Sequence, residues 1–335
     1  MATIVGGIAT SHGPLLCTPP AIWHLRGNAD RKSTTHAFRG QTLDYAALAA
    51  RRAPGFEAEV QPAAQQLQYD ACQRSLDALA ARCRVFRADF AVIVGNDQSE
   101  VFRADLTPAL CIFTGERIEN VPLDAARRSR LPPGIAEAEE GHCPPGGAVY
   151  PGMPREATAL VRSLIEHDFD VATSARLPTG DDRQQGVPHA FGFIYRRILQ
   201  DAPPPTIPVF VNVGVAPNPV RARRALAFGR ALARSVQTLP DDARVVLIAS
   251  GGMTHFVVDE AFDQRVLRAL QPWDEATLAG LPEGHLQGNT SEIKSWLVVA
   301  AAMQQAGLAP TSVSYTACYR TPAGPGSGMG FVSWG

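Results

Sequence analysis

The sequence predicts an α/β fold: a central, mainly parallel or mixed sheet flanked by helices on both faces. Three observations carry this. Short runs rich in Val, Ile, Leu and Ala alternate along the chain with longer stretches whose apolar residues recur at helical spacing, the pattern of strands joined by crossover helices. Several short runs are apolar throughout, as in "FAVIVG" and "ARVVLIASGG", which is how strands buried on both faces read. No internal repeat and no linker-like change of composition divides the 335 residues, so residues 1–335 are read as a single domain.

In chain order, "ATIVGGIA" is a first strand, ending at Thr10-Ser11-His12-Gly13-Pro14. A polar insert of mixed charge follows at about residues 22–62, with no clear period until "LDYAALAARR", a short helix. "AAQQLQYDACQRSLDALAARCRVF" keeps helical spacing without internal Gly or Pro and is a long helix. "FAVIVGND" and "ALCIFTGE" are strands. The Gly/Pro/Glu-rich stretch at about residues 131–154 is long for an irregular segment of a compact domain and is expected to be functional or a lid. "REATALVRSLIEHDF" is an amphipathic helix, "DVATSARL" a strand and "HAFGFIYRRIL" a helix. "TIPVFVNVGV" is a β-branched strand, and "PVRARRALAFGRALARSVQTL" a helix with Pro near its first turn, where a missing N–H is tolerated. "ARVVLIASGGMTH" is a buried strand; "DEAFDQRVLRAL" and "SEIKSWLVVAAAMQQAG" are helices; "TSVSYTACYR" is a last strand. The Gly-rich tail "TPAGPGSGMGFVSWG" reads as mobile.

Bulk composition narrows the function classes. With 45% apolar and 19% charged residues the chain is a globular protein with a sizeable core. A net charge of −1 argues against nucleic-acid or membrane-surface partners, which need a basic face. No run of apolar residues is long enough for a transmembrane helix, and "MATIVGGIATSHGP" lacks the basic start of a signal peptide. Six cysteines without CxxC spacing read as reduced thiols of a cytoplasmic protein, neither a disulfide framework nor a zinc site.

Ligands of open α/β sheets bind beyond the carboxyl ends of the strands. Three such ends carry functional residue types: "ATSHGP", "VGNDQSE" and "ASGGMTH". None is a phosphate loop or a GxSxG elbow. His12, His255 and His189 sit in loops that can aim an imidazole into a pocket, yet each alone reads equally as a hydrogen-bonded structural histidine. Glu292, at a helix start, reads alone as a first-turn carboxylate answering the helix dipole. His24, His36, His142, His167 and His285 lie in polar or loop surroundings and read as solvated.

Taken together, "GIATSHGP", "VIVGNDQ", "GVPHAFGF", "PVFVNVGVAPNP", "LIASGGMTH" and "GNTSEIKSWL" resemble the class III extradiol ring-cleavage dioxygenases. The likeness is to the catalytic subunits of protocatechuate 4,5-dioxygenase, gallate dioxygenase and 3-O-methylgallate dioxygenase, and it spans about residues 4–300. The resemblance implies a non-haem Fe(II) centre of two His and one Glu, with His12 and Glu292 as ligands. The second imidazole position is occupied by Gln98. The resemblance further implies that His255 is the acid/base histidine and that His189 lies near substrate and oxygen. Gln98 leaves three outcomes open. Its amide oxygen binds the iron; or a neighbour, Glu100, Asp97 or His24, takes its place; or the site has no metal. The implied reaction is ring opening of a catechol-type or gallate-type aromatic acid by O2, with Arg183 and Arg320 as candidates for holding the carboxylate. A metal-independent hydrolase or lyase, or an aromatic-acid binder, is the alternative. A homodimer is expected, with the 131–154 stretch, the early insert and the tail covering the site.

Overall fold

The computed structural model describes residues 1–180, 183–239 and 242–335. Its frame is one mixed sheet of nine strands, ordered His255–Val257, Pro325–Trp334, Thr3–Ser11, Arg244–Gly251, Phe90–Gly95, Thr206–Val211, Leu110–Phe113 and Ala172–Ser174, with Pro310–Tyr319 pairing Pro325–Trp334. Strand β1 (Thr3–Ser11) opens the chain. The early insert then forms α1 (Trp23–Lys32), the hairpin β2 (His36–Phe38) and β3 (Gln41–Leu43), and α2 (Tyr45–Arg51). Helix α1, in a stretch where no period is legible, is a correction. Its buried residues are only Trp23, Gly27 and Asp30, too few to imprint a stripe.

Helix α3 (Pro62–Val85) leads to β4 (Phe90–Gly95) and β5 (Leu110–Phe113). β6 (Arg117–Asn120) and α4 (Ala125–Arg128) follow, and within the stretch at about 131–154 stand a 3-10 turn at Ala136–Gly141 and β7 (Ala148–Pro151), which pairs β6. Next come α5 (Pro154–Ile165), the three-residue β8 (Ala172–Ser174), α6 (His189–Phe193) continued by a π-turn over Ile194–Ile198, and β9 (Thr206–Val211). Then follow α7 (Ala222–Gln237), β10 (Arg244–Gly251), β11 (His255–Val257), α8 (Glu260–Leu270), α9 (Glu275–Ala279), α10 (Ile293–Gln305), β12 (Pro310–Tyr319) and β13 (Pro325–Trp334).

Alternate residues of the central strands feed two cores. In β4, Phe90, Val92 and Val94 face the layer of α5, α7, α8 and α10, while Ala91 and Ile93 face the layer of α3 and α6. This two-sided burial makes the strands read as continuous apolar runs. Helices α7 and α10 approach so closely that a Cβ on Gly229 would lie 2.1 Å from the Val298 carbonyl oxygen.

The tail is the clearest departure from expectation. Residues 325–334 are not mobile: β13 is buried along its whole length and is bordered by β1, β11 and β12. Its glycines serve contact, not freedom. A Cβ on Gly330 would fall 2.8 Å from the Trp296 ring.

Strands β1, β10, β4 and β9 run parallel, with Ser11 beside Gly251 and Gly95 beside Phe210. Their carboxyl ends therefore deliver His12, Gly252 and Asn96 to one edge of the sheet, where open α/β folds bind ligands.

Candidate active site

Glu292 is the hub of that edge. It closes a 3-10 turn at Gly288–Glu292 immediately before α10 and is fully buried. Its Oε2 lies 3.2 Å from His12 Nε2 and 3.5 Å from His255 Nε2. Its Oε1 accepts from Gln98 Nε2, and from Asn96 Nδ2 at 3.4 Å. The Gln98 amide oxygen in turn accepts from Asn289 Nδ2 at 3.1 Å. The structure thus gathers His12, Gln98, His255 and Glu292 from four separate parts of the chain.

The other nitrogen of each imidazole fixes what faces Glu292. Ser250 Oγ donates to the Ala190 carbonyl (2.6 Å) and therefore accepts from His12 Nδ1–H (2.9 Å). His255 Nδ1–H donates to the Met253 carbonyl (2.8 Å). In their neutral forms both rings then turn the Nε2 lone pair toward the carboxylate. Burial lowers the His12 pKa despite Glu292; in His255, burial is outweighed by the Glu292 charge and the pKa rises. Burial would raise the Glu292 carboxyl, but the two imidazoles hold it well below the carboxylate range.

Glu292 Oε2 has no hydrogen-bond partner of acceptable geometry. A buried orphan acceptor faced by two imidazole nitrogens is a site that a cation satisfies. Among the described residues no group of three or more His, Cys, Asp and Glu gathers as a metal cluster. The set implied by the resemblance, however, includes an amide. That amide gives its N–H to Glu292 Oε1, and its oxygen accepts from Asn289. The atoms that converge without a hydrogen bond are Glu292 Oε2 and the Nε2 atoms of His12 and His255, a carboxylate and imidazole set that fits a divalent ion.

A second carboxylate serves a different ring. Asp97 accepts the backbone N–H groups of Glu100, Val101 and Phe102 at 3.1, 2.9 and 2.8 Å, shaping the turn after β4. Glu100 then reaches His189: Oε2 accepts its backbone N–H at 3.0 Å and Oε1 its Nδ1–H at 2.6 Å. Burial alone would lower the His189 pKa, but the Glu100 carboxylate raises it to about 9. The ring stands edge-on to His12, with centroids 4.8 Å apart, and to His142 at 5.9 Å. His142 is pressed down to about 3, chiefly by burial.

His12, Gln98, Glu100, His142, His189 and His255 line one cavity of about 450 Å³, within the size range of small-molecule sites. Its facing wall comes from the segment after β6, through Leu123, Leu131, Ile135 and Ala138.

Arg183 and Arg320 do not line this cavity. Arg183 donates to the Val101 carbonyl (2.8 Å) and to Asp105 (2.5 Å), and Arg320 is buried on Asp30 (2.7 and 3.2 Å). Their guanidinium groups hold segments of the fold together, which corrects their candidacy as substrate anchors. The arginines that do line the cavity are Arg103, Arg127 and Arg130, indistinguishable in the sequence from other loop arginines. Two alternative ligands also fall away: Asp97 is committed to its turn, and the exposed His24 bonds the Ala21 carbonyl. His142 and His36, read as solvated, are half-buried and buried respectively.

An α/β sheet with buried imidazoles and a carboxylate converging at its strand ends defines a ligand-binding and metal-compatible enzyme scaffold. Residues 53–324 match the family described as the catalytic LigB subunit of aromatic ring-opening dioxygenase, and the chain belongs to that family. It is similar to proteins named 2,3-dihydroxyphenylpropionate/2,3-dihydroxicinnamic acid 1,2-dioxygenase. That of Comamonas testosteroni is 26% identical over 55% of this chain and 49% of the relative. That of Mycobacterium sp. (strain MCS) is 37% identical over 30% of this chain and 28% of the relative. That of Mycobacterium ulcerans (strain Agy99) is 27% identical over 48% of this chain and 65% of the relative. The chain thus spans about half, or less, of the length of the first curated relatives it matches.

Proposed function

We propose that this chain is an Fe(II)-dependent extradiol dioxygenase that opens the ring of a catechol-type or gallate-type aromatic acid with O2. The observation that carries the reading is the orphaned Glu292 Oε2 with His12 and His255 Nε2 turned toward it. His12 and Glu292 would hold the metal, with Gln98 contributing its amide oxygen on turning from Asn289. When bound, such an ion supplies Lewis acidity toward the paired phenolic oxygens and a redox-active position for O2.

This chain's own residues then divide the remaining work. His255, anchored through Nδ1, takes the proton from a phenolic oxygen at Nε2 and returns it later, work for which an imidazole is suited near neutral pH. His189, held charged by Glu100, donates a hydrogen bond to an oxygen of substrate or O2. The apolar wall of Leu123, Leu131 and Ile135 packs against the ring and excludes water. The names of the relatives favour a dihydroxyphenyl acid, and the sequence motifs favour the gallate and 3-O-methylgallate branch; both classes fall within one panel of substrates. The same reading includes a homodimer in the cytoplasm.

The test is oxygen uptake by protein reconstituted anaerobically with Fe(II), across protocatechuate, gallate, 3-O-methylgallate and 2,3-dihydroxyphenylpropionate. Uptake with a yellow ring-opened product, abolished by a chelator and restored by Fe(II), is the expected result. A second reading, a metal-independent hydrolase, lyase or aromatic-acid binder, draws on the Gln98 amide N–H pointing at Glu292. It gains if the acids bind while no oxygen is consumed and the chelator changes nothing.

A further inference from the structure

We infer that Glu100 is a positioning residue for His189: its carboxylate clamps the imidazole so that Nδ1 is held on the protein and Nε2 is the nitrogen left for the cavity. The catalytic consequence rests on the ring-opening reading; the clamp itself rests on geometry.

Both carboxylate oxygens of Glu100 are taken by the same residue, one by the His189 backbone N–H and one by its ring. A carboxylate accepts only, so the ring nitrogen on Glu100 is Nδ1–H in either charge state, and Nε2 is the nitrogen turned away from it. The clamp is itself braced. Asp97 fixes the turn that carries Glu100 through three backbone N–H groups. The Glu100 carbonyl accepts the Gln184 N–H at 2.7 Å, tying the β4 end to the segment that delivers His189. His12 and His142 border the ring at centroid distances of 4.8 and 5.9 Å. Rotation about χ2 is thereby closed off.

The arrangement also explains why residues 98 and 100 serve different partners from one strand end: Gln98 meets Glu292 and Glu100 meets His189. Both Glu100 oxygens accept from His189, which aims this carboxylate at the imidazole and not at Gln98 or Glu292. Carboxylate partners of functional histidines commonly control activity by 10–100-fold without touching substrate.

The experiment has two arms. The first needs no substrate. Protein labelled with 15N-histidine is examined by NMR, and the His189 Nδ1–H resonance is assigned by its loss in His189→Ala. In wild type it lies far downfield, as a proton shared with a carboxylate does. In Glu100→Gln it moves upfield or vanishes by exchange, and in Glu100→Asp it shifts part of the way. An unchanged resonance in Glu100→Gln overturns the clamp. Melting by circular dichroism is followed in parallel, and if Glu100→Gln does not fold, the resonance of Glu100→Asp decides: no shift overturns the clamp.

The second arm is steady-state oxygen uptake. Glu100→Gln is expected to lower kcat by about 10–100-fold with KM within about twofold of wild type. Glu100→Asp recovers part of the loss. The double variant with His189→Ala is expected to be no worse than His189→Ala alone, as for residues acting as one unit. Losses that multiply, or an unimpaired Glu100→Gln beside an impaired His189→Ala, overturn the inference. Absence of uptake by wild type on every acid overturns the ring-opening reading instead, and the resonance still decides the clamp.

Discussion

The two carboxylates that meet the site's histidines differ in one respect that sets their roles. Glu292 has an oxygen that no hydrogen bond satisfies, with imidazole nitrogens of two histidines approaching it. Glu100 has both oxygens satisfied by a single histidine. The first leaves an oxygen for which the proposed metal would be the partner. The second already has each oxygen in a hydrogen bond to the ring or backbone of one residue. Counting acidic residues near a pocket therefore says little; the state of each oxygen separates a ligand from a support.

Glu292→Gln breaks this contrast most severely. Oxygen uptake is expected to fall by about three orders of magnitude or more, beyond the 10–100-fold controlled by supporting partners, together with loss of metal measured by atomic emission after dialysis. His255→Gln is expected to lower kcat by about 10²–10⁴-fold, the range of a lost acid/base group, while metal content stays at the wild-type level; loss of metal would move His255 into the ligand set. Gln98→His sharpens the contrast from the other side. An imidazole in place of a neutral amide should retain iron against a chelator on the order of tenfold better, read as the rate of metal loss.

Another carboxylate, the buried Asp263, holds the backbone and hydroxyl of Thr254, the residue before His255. Burial lifts its carboxyl to about 7, against hydrogen bonds from Tyr315 and Thr254. Between about pH 4 and about pH 7 the folded chain keeps a proton that the unfolded chain has released. Its contribution therefore favours folding at low pH and is lost as pH rises through that window. Asp263→Asn is expected to flatten this fall, on the order of a few kcal/mol, in urea melts from pH 4 to 8.

Much of the frame is legible in the sequence. The strands β4, β9 and β10 and the helices α3, α5, α7, α8 and α10 stand where apolar runs and helical spacing put them. His12, Gln98, His189, His255 and Glu292 stand out through their motifs, and the structure brings them to one edge. What escapes is instructive. The Gly-rich tail reads as mobile because glycine spacing carries no sign of burial, yet β13 is a buried strand whose glycines admit Trp296 and the Cys318 carbonyl. Arg183 and Arg320 look like anion anchors because a guanidinium's role depends on which carboxylate reaches it first. Glu100 reads only as a spare ligand, since nothing in "NDQSE" tells which residue its side chain meets across 89 positions of chain.

Local sequence sets the layering of this protein, because burial of apolar faces repeats with the period of each element and so is written locally. It also determined which side chains stand at strand ends. Tertiary structure alone decided the partners of those side chains, because a hydrogen bond or an orphaned oxygen depends on distances between segments far apart in the chain. That is where Glu292 was left open toward a cation and Glu100 was closed upon His189.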